Sequence, residues 1–331
     1  MSKYTERQRR KTIGLISENP NIFDGTSGGG KFAGKPRGFV LKVPINNLYP
    51  EIRKPVEEYF EKNAISHWGG RAITGHTLSS QVACLNHLFA IKDDVAAVTS
   101  LLKGISKDFV RPVKIASDKL PGYIQFEAVS DRQYLNEGPL TRGTQCTSID
   151  ALIYADKLMA NKETRRCLVL IEWKYTEHYG NTDKSLEGAK KDPLNCKGEV
   201  RKKRYNALIG ISDQLKSDHI GWFYYEPFYQ LMRQTLWGEQ MVRHKALERV
   251  KADEYLHLHV VPDANEDLLR NTRPYPYSKL SMESTWNALL KEPGKYIRLS
   301  PEKLLKPLMS SARHKELISY LRRRYWETNA S

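Results

Sequence analysis

The amino-acid sequence predicts an α/β fold with an αβββαβ core, in which helices flank a central mixed four-stranded sheet. Three observations support this prediction. Apolar residues recur at helical spacing over residues 77–89, three strand-like segments follow within residues 123–176, and a helical stretch at 227–244 precedes a fourth strand-like segment at 254–262. We predict that residues 76–265 form this core.

We predict that residues 1–75, which precede the core, form an N-terminal arm and one short helix. Residues 1–40 combine a basic start with several glycines, a composition that disfavours regular structure. A Pro-bounded amphipathic stretch over residues 49–63 predicts the short helix.

The core elements follow in order from their side-chain patterns. Leu78, Val82 and Leu85 lie on one face of the first predicted helix, and the hydroxyl-bearing Thr77 and Ser79 are its candidate N-caps. The three strand segments are rich in β-branched, aromatic or aliphatic residues and are separated by polar turns; they lie at 123–130, 147–156 and 167–176. The basic region 179–205 reads as a loop.

Residues 266–331 predict a helical C-terminal extension, with helical stretches around residues 282–291, 301–309 and 315–326. The last stretch ends in three consecutive arginines at 322–324, so the extension is a candidate for nucleic-acid contact.

Composition limits the classes of partner and location. Lys and Arg outnumber Asp and Glu by 53 to 38, which gives a formal net charge of +15 and favours a polyanionic partner such as nucleic acid. No apolar run approaches the about 20 residues that a membrane helix needs, and the N-terminus has no hydrophobic signal-peptide core. The four cysteines form no Cys-x-x-Cys pair. We expect a cytoplasmic protein without membrane association or a zinc cluster.

One group of charged residues interrupts the apolar strand segments. Glu172 and Lys174 follow the apolar run 167–171, and they share one strand face because side chains alternate along a strand. No other acidic-x-Lys spacing occurs in the chain. Asp150 is the lone acid of the preceding strand segment, and a buried carboxylate is costly unless a cation compensates it. We predict that Asp150 and Glu172 meet on adjacent antiparallel strands.

Two carboxylates and a lysine that converge in this way suit metal-dependent phosphodiester hydrolysis. Carboxylate oxygens hold a hard divalent cation such as Mg²⁺, for which Mn²⁺ is an expected substitute, and the cation activates a bound water. Lys174 would orient this water and stabilise the developing negative charge. The alternative is a buried structural ion pair between Lys174 and one of the carboxylates.

The order αβββαβ, with Asp150 on the second strand and Glu172-x-Lys174 on the third, resembles the PD-(D/E)XK nuclease superfamily with its restriction-endonuclease-like fold. The resemblance covers residues 76–262 and implies that Asp150 is the first acid of the motif, Glu172 the second and Lys174 the lysine. Ile149 stands where the motif has its proline. The resemblance implies a Mg²⁺-dependent endonuclease of double-stranded DNA, in restriction or another defence against foreign DNA, for which a homodimer would suit cleavage of both strands.

Five further residues are candidates for the same site. Glu127, the acid of the first strand segment, is the strongest candidate for a third metal ligand. Gln81 and Asn86 lie on the first helix, where many members of the superfamily place an additional polar residue. Glu177 follows the lysine, and Ser148 precedes the catalytic aspartate by two residues on the same face, so both are expected to support the site.

Basic residues after the catalytic strand are predicted to contact the phosphate backbone: Lys190, Lys191, Arg201, Lys202, Lys203 and Arg204. Two other functions remain open. One is a DNA repair or recombination nuclease of the same fold, and the other is a non-catalytic DNA-binding protein that retains the fold. Metal-stimulated cleavage separates the second from a nuclease.

Overall fold

A computed structural model describes residues 2–67, 70, 72–270 and 278–326 of the chain. Residues 271–277 and 327–331 of the predicted C-terminal extension lie outside this set. The helices of the described residues are α1 Lys3–Glu18, α2 Arg53–Lys62, α3 Ser80–Leu88, α4 Val95–Ile105, α5 Lys197–Gly210, α6 Phe228–Arg243, α7 Glu266–Leu269, α8 Met282–Leu289, α9 Pro301–Leu305 and α10 Lys315–Arg324. The strands are β1 Gly28–Phe32, β2 Lys35–Leu41, β3 Phe109–Val113, β4 Ile124–Ala128, β5 Ile149–Leu158, β6 Thr164–Trp173, β7 Glu254–Val260 and β8 Tyr296–Leu299. None of the described helices is long and apolar enough to cross a membrane.

The strands of the described residues form one two-stranded and one six-stranded sheet. The larger sheet has the order β3-β5-β6-β7-β8, and β4 pairs with the part of β5 that β3 leaves free. β7 and β8 run parallel to β6, whereas the other pairs are antiparallel. The sheet is therefore mixed, as predicted, but it has six strands instead of four. The two additional strands are β3 and β8. β3 contains Pro112 and β8 has only four residues, and both features make a strand difficult to predict from sequence.

The six predicted core elements each have a counterpart, namely α3, β4, β5, β6, α6 and β7. The predicted order αβββαβ is interrupted, because α4 and β3 lie between α3 and β4, and α5 lies between β6 and α6. Ser79 caps α3 because its Oγ accepts a hydrogen bond from the N–H of Val82 at 3.4 Å. The prediction that residues 179–205 form a loop is wrong at its end, where α5 begins at Lys197. Lys, Arg and Glu are good helix formers, so this charged stretch needs few apolar contacts to be helical.

The prediction of an irregular arm over residues 1–40 is also wrong. Ser2 caps α1 by accepting from the N–H of Thr5 at 3.1 Å, and Asp267 accepts from the Ser2 hydroxyl at 2.7 Å. β1 and β2 form a hairpin in which the facing backbone leaves no room for a Cβ at Gly28 or Gly30. The glycines that disfavour regular structure in the sequence pattern therefore permit a close backbone approach.

Apolar side chains cover both faces of the large sheet. On one face, Val169, Ile171 and Trp173 of β6 belong to a cluster that includes residues from Ile22 to Trp326 and so joins all three predicted segments. On the other face, Leu168 and Leu170 pack beneath α6. Alternation along β6 therefore directs Glu172 and Lys174 toward α6.

Candidate active site

Asp150 and Glu172 lie side by side at one end of the β5–β6 pair. Ala151 pairs with Ile171 in the antiparallel register, so Asp150 and Glu172 are the next residues along the two strands. The backbone N–H of Trp173 donates to Asp150 Oδ2 at 2.7 Å. The structure thus brings together the two acids that the sequence predicts to meet.

Glu127 continues this row onto β4. The strand pairs with β5 on both sides of this residue, through Phe126 and Ala128, so Glu127 lies opposite Asp150. Its φ of 49° is a left-handed conformation that is uncommon for a residue other than glycine. Gln81, in the first turn of α3, donates from Nε2 to Glu127 Oε1 at 2.7 Å. Three carboxylates therefore occupy neighbouring positions on three adjacent strands.

Lys174 places one ammonium group beside this row. Its Nζ forms an ion pair with Glu172 and donates to Gln230 Oε1 on α6. Lys174 is 5% exposed and Glu172 is 3% exposed. Gln234, one turn further along α6, donates to the second carboxylate oxygen of Glu172. The helix therefore holds both members of the ion pair in fixed positions.

His257 on β7 extends this hydrogen-bonded chain. Its Nε2 lies 2.8 Å from Gln234 Oε1, and since the amide oxygen is an acceptor, the imidazole donates from Nε2. Burial lowers the pKa of His257 to about 4, so the ring is neutral near pH 7. The neutral imidazole orients Gln234, which in turn orients Glu172.

The crowding of acids is visible in their pKa values. Burial, together with the negative charges of Glu172 and Glu127, raises the pKa of Asp150 well above its ordinary value. Burial raises the pKa of Glu127 to about 7, with a further rise from Glu172 that Gln81 opposes. Burial alone would lower the pKa of Lys174, but Glu172 and the other anionic groups nearby outweigh it and raise that pKa, so Lys174 stays an ammonium group.

These residues line a cleft of about 270 Å³, and Arg233 of α6 forms part of its wall. Arg233 Nε donates to Glu137 Oε1 at 2.9 Å and to Thr147 Oγ1 at 3.0 Å. The Arg233 side chain is 22% exposed, and no described residue accepts a hydrogen bond from its two terminal nitrogens. Tyr205 also donates to Glu137 Oε1, at 2.6 Å, which fixes the anchor of the guanidinium group.

The cleft fits a hard divalent cation by its chemistry. Carboxylate oxygens are the ligands that Mg²⁺ prefers, and the raised pKa values of Asp150 and Glu127 indicate that burial and neighbouring acids disfavour their ionised forms. The carboxylates are not already closed around a metal position, since among the described residues no three His, Cys, Asp or Glu side chains are grouped to hold an ion. Glu172 is held by Lys174 instead.

The other predicted supporting residues separate into two groups. Ser148 lines the cleft with Gln81, and its Oγ accepts from the N–H of Gly143 at 3.0 Å. Glu177 does not line the cleft, and its Oε2 accepts from the N–H of Tyr175 at 2.7 Å. Asn86 is fully buried away from the cleft, where it bonds to the Tyr49 N–H and the Tyr325 hydroxyl.

The residues predicted to contact DNA differ in their exposure and in whether they pair with an acidic side chain. Three of them are exposed: Lys190, Lys191 and Lys203. Arg201 pairs with Glu187 at 2.9 Å, Lys202 pairs with Glu199, and Arg204 is half-buried. Their role in DNA binding stays a prediction.

Three polar residues of α6 were missed from the sequence: Gln230, Arg233 and Gln234. Their spacing of i, i+3 and i+4 puts them on one helical face in an otherwise largely buried helix. This polar stripe was the available signal.

Comparison with protein families places the chain among restriction endonucleases, a class to which the mixed sheet and the cleft of buried acids are suited. The family model described as "Restriction Endonuclease associating with ARP" matches residues 16–326, and the chain belongs to this family. Membership indicates a nuclease with DNA as its substrate. No curated protein and no solved structure matched the chain. The likeness to the PD-(D/E)XK superfamily stays a prediction.

Proposed function

We propose that this chain is a Mg²⁺-dependent endonuclease that hydrolyses phosphodiester bonds of double-stranded DNA, in restriction or another defence against foreign DNA. The observation that carries the proposal is the row formed by Glu127, Asp150 and Glu172 beside the Lys174 ammonium group. Family membership supports the nuclease assignment. A homodimer would supply two such sites, one for each strand.

The proposed place of action is the cytoplasm. All four cysteines are free and buried, which suits a reducing compartment. A nuclease in the cytoplasm would encounter foreign DNA that enters the cell.

Asp150, Glu172 and Glu127 would hold the Mg²⁺ ion, with Mn²⁺ as a substitute. The ion would supply an activated water and neutralise charge on the phosphoryl group. The elevated pKa values of Asp150 and Glu127 support this assignment, because a bound cation supplies the positive charge that both carboxylates lack.

Lys174 acts as a charged hydrogen-bond donor and not as a base, because its raised pKa keeps it protonated. An ammonium group at this position stabilises the negative charge that develops on the phosphoryl oxygens. Gln230 keeps the group aimed into the cleft. Arg233, whose terminal nitrogens face no described acceptor, offers a two-pronged contact for a phosphate group.

One observation favours a second candidate, a DNA-binding protein without catalysis. Glu172 and Lys174 already form a closed, buried ion pair, which is also how a purely structural pair would look. A repair or recombination nuclease would use the same residues as a restriction enzyme, so only its substrate would differ.

Supercoiled plasmid cleavage tests the proposal. Wild type, Lys174→Ala and Lys157→Ala are compared with Mg²⁺, with Mn²⁺ and with chelator. Lys157 is a matched control because it also pairs with a glutamate, Glu254, at 2.9 Å, but lies toward the opposite end of β5. We expect metal-dependent cleavage by wild type and Lys157→Ala, and a loss of about 10²- to 10³-fold in Lys174→Ala.

The DNA-binding protein without catalysis would replace the proposal if wild type bound DNA but did not cut it. Wild type would bind the plasmid in a salt-sensitive way and leave it uncut with either metal. Linear, branched and modified DNA would then also have to remain intact.

A further inference from the structure

The hairpin of β1 and β2 lies next to the candidate active site. Leu41 of β2 donates its N–H to the Gly75 carbonyl at 2.9 Å, and Thr77 donates its N–H to the Phe39 carbonyl at 3.4 Å. Ser80, three residues after Thr77, lines the cleft. Three residues of chain span at most about 11 Å and the Thr77–Phe39 hydrogen bond adds 3.4 Å, so the Phe39 carbonyl at the base of the hairpin lies within about 15 Å of Ser80.

The hairpin is built as a stiff ribbon. Ala33 and Gly34 at its tip have φ values of 49° and 76°, the positive pair that a tight two-residue type I′ turn requires. The Phe32 ring lies 4.4 Å from the His76 ring, centroid to centroid. Gly38 leaves room for a side chain of α1 to pack against the ribbon. Strands of five and seven residues give the ribbon a length of about 20 Å.

Three cations project from this ribbon without a counterion: Lys31, Lys35 and Arg37. All three are exposed, and none of their side chains pairs with an acid among the described residues. The cross-strand register puts Lys35 opposite Phe32 and Arg37 opposite Gly30, so Lys35 and Arg37 share one face and Lys31 lies on the other. Two of the predicted contact residues of α5 differ, because Arg201 and Lys202 are paired with glutamates.

We propose that the β1–β2 hairpin is a DNA-binding ribbon that contacts the phosphate backbone beside the cleft through Lys35 and Arg37. The inference rests on the proposed function, because DNA that occupies the cleft brings its flanking backbone to the hairpin. A ribbon of about 20 Å covers about six nucleotides at 3.4 Å each. Unpaired cations on a rigid projection fit phosphates because they lose no internal partner on binding.

The test measures the salt dependence of duplex binding. Lys35→Ala/Arg37→Ala is compared with Lys162→Ala/Arg165→Ala, which removes the same charge from the β5–β6 turn and the start of β6. Leu158, the last residue of β5, lies about 27 Å along the strand from Asp150. A fluorescent 30-base-pair duplex is titrated by anisotropy between 50 and 200 mM salt in chelator, so that no cleavage occurs.

We expect the hairpin variant to lower the magnitude of the slope of log K against log salt by about 2, since each phosphate contact contributes about 0.9. Its affinity at 100 mM salt should fall by at least about tenfold. The control variant should keep the wild-type slope, and so should Lys31→Ala because Lys31 lies on the opposite face. Circular dichroism verifies that each variant is folded.

Two failures are distinguishable. If wild type cuts plasmid and the hairpin variant keeps the slope of the control variant, the ribbon does not contact DNA and only this inference is overturned. If wild type neither binds nor cuts DNA, the proposed function fails and the inference fails with it.

Discussion

Two aspartates at opposite ends of β5 have opposite electrostatic surroundings. Asp156 accepts a hydrogen bond from Arg111 Nε at 2.8 Å and forms an ion pair with Arg166 Nε at 2.7 Å. Asp150 instead has an acidic residue beside it on each flanking strand. Near Asp156, arginines of the fold therefore neutralise the buried acid. Near Asp150, acidic residues lie next to one another.

Under the proposed function, this difference separates a structural acid, Asp156, from a metal-binding one, Asp150. The charge of Asp156 is neutralised by groups that are always present. Burial and the neighbouring acids disfavour the ionised form of Asp150 and raise its pKa, and a bound cation would neutralise the charge of that form. Acids gathered where the fold does not neutralise them favour a binding site for a cation.

The largest expected difference between Asp150 and Asp156 is in the rate of plasmid cleavage by their variants. Asp150→Asn is expected to lower kcat/KM for plasmid cleavage by about 10³-fold, because loss of metal-based charge stabilisation is worth several kcal/mol. Asp156→Asn should stay within a few-fold of wild type. Initial rates of supercoiled plasmid nicking measure both. Equal losses in the two variants would mean that the ends do not differ in function.

The same two substitutions should have different effects on the free energy of unfolding. In chelator at pH 8, Asp150→Asn is expected to leave the free energy of unfolding unchanged or to raise it by about 1 kcal/mol, because it removes a repulsive buried charge. Asp156→Asn should lower it by about 1 to 3 kcal/mol, because Arg111 and Arg166 lose a charged acceptor. Urea denaturation measures both values. A larger destabilisation by Asp150→Asn than by Asp156→Asn would contradict the comparison.

The pH dependence sharpens the account at the acidic end. Glu127 has a folded pKa of about 7 against an ordinary 4.5, so between these values the unfolded chain has lost a proton that the folded chain keeps. This group therefore makes the metal-free protein less stable as pH rises through that window. Because Mg²⁺ needs the ionised carboxylate, its stabilising effect on Tm should be larger at pH 8 than at pH 6.

The matched variant for this prediction is Glu127→Gln, which cannot ionise and should reduce the pH dependence of the Mg²⁺ effect, leaving the part that Asp150 contributes. Thermal unfolding at both pH values, with and without Mg²⁺, provides the readout. A wild-type Tm shift that is the same at pH 6 and pH 8 would show that Glu127 does not bind the ion.

The smallest expected effect concerns the arginines. Arg233→Lys keeps the charge but loses the Nε anchor to Glu137 and the two-pronged contact, so we expect about a tenfold loss of kcat/KM, mainly through KM. Arg166→Lys, on β6 opposite Asp156, should change kcat/KM by less than twofold. Steady-state kinetics on one duplex compare the two variants. Similar losses would remove Arg233 from the site.

The acids of the site could be predicted because a charge inside an apolar, alternating strand is visible in local sequence. Asp150 and Glu172 stand out in this way, and the antiparallel turn between their strands brings them together. The role of Arg233 could not be predicted, because a polar stripe on a helix acquires meaning only when the helix packs over the sheet. Gly28 and Gly30 were misread for the same reason, since the close backbone that requires them lies across the hairpin.

Direct cation binding tests the central claim. Isothermal titration of Mg²⁺ into wild type, Asp150→Asn and Asp156→Asn compares the two ends of β5 without any need for DNA. We expect wild type and Asp156→Asn to bind the ion with equal affinity, and Asp150→Asn to bind it at least about tenfold more weakly. Equal affinity in all three proteins, or no binding by wild type, would contradict the central claim and leave the gathered acids with a structural role.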